Sequence, residues 1–180
     1  MHLIKRSLKV LPLALVAASL MASPAMAADP ATATCQFGGL TGSLNPPVPP
    51  ATRPGGSGNF TFGGSATCVV THGTTSASVT ATISASGSYR NDICGTGEAS
   101  GTATVTFGPG SPVASATATF SIRFVAGVGV LTISAWADSS GHRGQGGGQV
   151  TIVPTGGSCT AEPGVTQFTV AGGFTAAGTH

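Results

Sequence analysis

The sequence predicts an all-β protein: an antiparallel barrel or closely packed sandwich of about eight long strands, with no helix after the first 27 residues. Three observations predict it. Apolar and polar residues alternate with a period of two over long runs. Glycine, proline, asparagine and aspartate punctuate those runs as turns do. No segment after Ala27 shows the 3.6-residue apolar period of a helix.

The chain begins with Lys5, Arg6 and Lys9, followed by an apolar run from Val10 to Leu20 and an A-x-A site at Ala25–Ala27. That order is a secretory signal peptide over residues 1–27, cut before Ala28. The run is well short of the roughly 20 apolar residues a membrane-spanning helix needs. No second run follows, so the mature chain is expected to have no membrane span and to be secreted, extracellular. Residues 28–180 then form a single all-β domain of 153 residues. Its charges are Arg53, Arg90, Arg123 and Arg143 against Asp29, Asp92, Glu98, Asp138 and Glu162, a net of −1 with no lysine. A nucleic-acid or anionic-membrane partner needs a basic patch, and this chain cannot supply one.

Each strand has its own signal. The first is expected at 34–41 and is followed by a Pro/Gly-rich loop at 45–58, "NPPVPPATRPGGSG". The second, 58–70, places Phe60, Phe62, Ala66, Cys68 and Val70 on one parity. The third, 75–90, alternates Ala77, Val79, Ala81, Ile83, Ala85 and Tyr89 with serine and threonine. The fourth, 94–107, aligns Ala103, Val105 and Phe107; the fifth, 113–126, aligns Ala116, Ala118, Phe120, Ile122 and Phe124. The sixth, 128–137, takes its inward parity from Leu131, Ile133 and Ala135. After a "GHRGQGGG" turn at 141–148, the last two are expected at 148–154 and 164–175. All 28 glycines fall in the mature chain, and large apolar residues are few. Such a core is lean and calls for cross-links.

Four cysteines follow the signal: Cys35, Cys68, Cys94 and Cys159. An even set in an oxidising compartment reads as two disulfides. If successive strands alternate in direction, Cys35 and Cys68 share one end, and Cys94 and Cys159 the other. The remaining pairings would join opposite ends, beyond the about 7 Å that a disulfide tolerates between Cα atoms. The expected bridges are therefore Cys35–Cys68 and Cys94–Cys159. No CxxC spacing suggests a metal site, and no motif calls for a cofactor.

The same alternation gathers His72, Asp138, Ser140, His142 and Arg143 at one end. A hydrolase could use Ser140 as nucleophile, His72 or His142 as base and Asp138 to orient it. A divalent metal could sit between His72, His142 and Asp138. The competing reading is that these are ordinary polar turn residues, and no GxSxG or HExxH motif stands against it. Trp136 falls on the outward parity of the sixth strand, where it could contact a sugar or a protein. A local bulge would turn it inward instead.

The phrases "SGSYRNDICGTGEASGTATVTF", "FVAGVGVLTI" and "GGGQVTIVPTGGSCT" resemble small, uncharacterised secreted β-rich proteins of actinobacteria. What the resemblance implies is an exported β fold; it implies no activity. The expected function is a non-enzymatic structural or binding module of the cell exterior, with an extracellular or cell-envelope partner. Two alternatives stand beside it: a small hydrolase or metal-dependent enzyme at the His72/His142 end, and a barrel that binds a small apolar ligand.

Overall fold

The computed structural model describes residues 29–180, so the signal peptide read at 1–27 lies outside the described residues. Eight strands follow one another: β1 (Ala31–Val48), β2 (Gly56–His72), β3 (Thr75–Asp92), β4 (Gly97–Phe107), β5 (Ser115–Val125), β6 (Val128–Asp138), β7 (Arg143–Gly157) and β8 (Val165–Thr179). Each pairs antiparallel with its neighbours in sequence. β8 returns to β1, with Ala31 opposite Gly178 and Val48 opposite Val165. The sheet is a closed barrel rather than a sandwich, and closure removes every unpaired edge. No helix occurs among the described residues, and so none is long and apolar enough to cross a membrane.

Alternation decides which residues are inside. Val79, Ala81, Ile83, Ala85 and Tyr89 of β3 are buried, while Thr80, Thr82, Ser84, Ser86 and Ser88 are exposed. The outer face of β3 is therefore polar, while Val125, Val128, Val130 and Val153 are exposed on β5, β6 and β7. Hydroxyls pair across the outer wall, as in Thr34–Thr175 and Ser43–Thr61, both at 3.1 Å. Inside, Phe60, Phe62, Phe120 and Phe168 form a contiguous aromatic cluster, with neighbouring ring centroids 5.7–6.2 Å apart. Such pairs add to the stabilisation that their buried area already gives.

Two stretches expected as loops are strand. β1 runs through Asn45 to Val48, which leaves residues 49–55 rather than 45–58 as the connection to β2. β7 begins at Arg143 rather than 148, so most of "GHRGQGGG" belongs to a strand. The reason is close approach. A Cβ added at Gly144, Gly146 or Gly148 would lie 1.7, 2.2 or 2.0 Å from a β8 carbonyl oxygen. Only glycine lets β7 pack this tightly against β8.

The barrel has two ends. The first holds the turns at 73–74, 108–114 and 139–142 together with the end of β8. The second holds the connections 49–55, 93–96, 126–127 and 158–164. Cys35 and Cys68 are register partners on β1 and β2, fully buried, with Cα atoms 4.1 Å apart. Cys94–Cys159 ties the β3–β4 hairpin to the β7–β8 connection, which lie on opposite sides of the ring in strand order. That bridge spans the second end.

Candidate functional site

At the first end, the turn after β6 folds around one carboxylate. Asp138 Oδ1 accepts the Ser140 amide at 2.9 Å and the His142 amide at 3.1 Å. Its carboxylate also meets His142 Nδ1, at 3.1 Å from Oδ2. The His142 side chain is fully buried and closes the barrel like a plug. His72 and His180 pack on it, with ring centroids 4.7 and 4.0 Å away. The topology therefore does gather His72, Asp138 and His142.

The gathered groups are not arranged for the chemistry considered above. A nucleophile must hydrogen-bond the histidine nitrogen that the acid does not hold. Here His142 Nε2 is buried with no hydrogen-bond partner, while Ser140 is exposed and gives Asp138 its amide. Among the described residues, no three His, Cys, Asp or Glu side chains are placed to hold a metal ion. His180 escaped the sequence reading, although counting eight strands places the end of β8 at this end of the barrel. Arg143 is exposed beside the cluster, at the start of β7.

Trp136 is not a surface contact. It is only 3% exposed and its ring centroid lies 6.3 Å from that of Phe174. The register of β6 against β7 slips between Ile133 and Trp136, and against β5 at the same level. This bulge at Ser134–Ala135 places both residues outside and turns the indole inward.

The second end encloses space. A cavity of about 60 Å³ is walled by Val48, Phe60, Val165 and Phe168 beneath Cys94. A further void of about 50 Å³ lies deeper, and Phe62, Ile122 and Val170 face both. Into this apolar surface comes Asp92, 7% exposed, with an Oδ1 that is buried and has no hydrogen-bond partner. Alternation alone would put Asp92 outside. The β2–β3 register slips between Gly56 and Gly58, so that residues 90 and 91 face Ser57 alone and Asp92 turns inward. Burial pushes its carboxyl up to about 6, against the pull of the Gly95 amide. Nearby, the Tyr89 hydroxyl donates to the Pro46 carbonyl. Burial, and then the charge of Asp92, hold the Tyr89 phenol above its ordinary value.

Comparison with protein-family models, curated proteins and solved structures finds no match to this chain.

The Asp92 carboxyl has a consequence for stability. Its folded-state pKa, about 6, is raised above the ordinary 3.8. Its contribution is therefore fully present below about 3.8 and is lost as pH rises through about 6. Asp92→Asn removes this loss. The variant should melt higher than wild type at pH 8, by a margin on the order of 2 kcal/mol, and level with it at pH 4. Thermal melts at the two pH values check this; an equal difference at both would mean that Asp92 ionises freely.

Proposed function

We propose that the protein is an exported, non-enzymatic binding module whose site is the apolar cavity at the Asp92 end, and that it takes a small apolar ligand there. The cavity itself carries the reading. Protein interiors are packed with few voids larger than a water molecule. This one is bounded by aromatic and branched side chains. The exposed Pro154 is among the residues that line it. Its volume, about 60 Å³, is less than half of the roughly 150 Å³ that accommodates benzene. The ligand that fits is correspondingly small or slender. Export is supported by the cationic and apolar segments ahead of Ala28 and by the two disulfides.

Xenon and propane, dissolved under pressure, are the probes. Methyl resonances of Val165 and Ala99 should shift and saturate, while those of the exposed Val69 move little. Val165→Phe fills the space and should abolish the saturating shift in an otherwise folded protein. Shifts at Val165 no larger than those at Val69 would remove the reading.

A further inference from the structure

We infer that the cavity is a site for a short, unbranched primary amine, whose ammonium group is received by Asp92 and whose chain lies along Phe60, Phe168 and Val165. The inference rests on the binding reading above and deepens it.

Three observations lead to the head group. Asp92 and His142 are the only buried polar or charged residues among those described, and His142 has Asp138 as its partner. Asp92 has no such partner: its Oδ1 is shielded from solvent and unbonded. An ionised carboxylate in that position is costly until a hydrogen-bond donor, best of all a cation, reaches it. The Gly95 amide reaches the carboxylate, but no cation does among the described residues. Arg90, two residues away, is exposed and engaged with Glu98, which also holds Arg123 at 2.7 Å. Tyr89 is the only other titratable group among the described residues that line the cavity. Its proton is already donated to Pro46.

The rest of the ligand follows from the walls. Every other side chain around the void is apolar or part of the disulfide, so the group attached to the ammonium is aliphatic. Two small voids, about 60 and 50 Å³, lie on either side of Phe62, Ile122 and Val170. A volume that small suits a short, unbranched chain. A carboxylate ligand would set two negative charges together, and an alcohol would leave the charge of Asp92 uncompensated.

The test titrates wild type and Asp92→Asn with propylamine, propan-1-ol, propionate and propane, followed by the same methyl resonances. Propylamine should bind wild type at least about tenfold more tightly than propan-1-ol, the scale of one charge-assisted hydrogen bond. Propionate should not bind. In Asp92→Asn the amine should fall to the level of the alcohol, with propane unchanged. A second arm needs no variant. Wild-type affinity for propylamine should rise about tenfold between pH 5 and 7 as Asp92 ionises, and propane should show no such rise. If propane binds while the amine gains nothing over the alcohol, or shows no pH dependence, the head-group inference fails and the binding reading stands. If none of the probes binds, both fail.

Discussion

Replacing Cys94 and Cys159 together by alanine should lower the melting temperature by about 10–15 °C, with the Cys35–Cys68 bridge still formed. The two residues are 65 apart in sequence. Closing a loop of that length in the unfolded chain is worth roughly 4 kcal/mol in the chain-entropy model. A domain of this size loses about 2–4 °C for each kcal/mol. The whole margin of a folded domain is only about 5–15 kcal/mol, so the loss is large. Its effect should also be local. The bridge sits among backbone bonds of the second end: the Gly127 amide to the Gly95 carbonyl at 2.8 Å, and the Ala51 amide to the Cys159 carbonyl at 2.9 Å. These two amides should exchange faster in the variant, while amides beside Cys35–Cys68 keep their protection. A melting shift below about 3 °C would show that the second end is held by its strands alone.

The strands show where sequence reasoning succeeds and where it stops. Period-two alternation is a local property, and it carries the barrel: from Ala77 to Tyr89 the inward set can be listed without a structure. What alternation cannot carry is a change of phase. One extra residue in a strand sends every later side chain to the opposite face. That happens before Trp136 and again before Asp92. Simple parity puts both outside, Trp136 with a bulge as the stated alternative, and both are buried. The bulges depend on the partner strand, Ser57 in one case and the "GQGGG" run in the other. Neither strand's own residues announce them.

Glycine misleads in a related way. A run such as Gly144–Gly148 has low strand propensity, so taken alone it reads as a turn. Its role appears only when β8 is laid beside it, with carbonyls that would collide with any β-carbon. The candidate site at the first end was legible for the opposite reason. Up-and-down topology fixes which turns share an end, and that is enough to bring His72, Asp138 and His142 together. It does not fix side-chain direction. The sequence could not show that Ser140 would give an amide rather than a hydroxyl, or that His142 would be sealed in.

Replacing Asp138 by alanine should destabilise the fold by about 3–5 kcal/mol, the usual result of removing one partner from a buried pair. Three donors depend on that carboxylate: the amides of Ser140 and His142, and His142 Nδ1. Without it the imidazole keeps two ring nitrogens in a dry interior and no partner for either, because Nε2 already lacks one. Asp138→Asn keeps an acceptor oxygen for at least one of the donors and should recover a good part of the loss. His142→Leu is the informative companion. It leaves the Asp138 carboxylate with the amides of Ser140 and His142, whereas Asp138→Ala strands all three donors, so it should cost less although it deletes the same contact. Urea denaturation of the three variants reads these differences directly. Equal losses for Asp138→Ala and His142→Leu would mean that His142 contributes chiefly through its own hydrogen bond. The expected order, with Asp138→Ala below the other two, makes the Asp138–His142 pair a structural closure of the barrel.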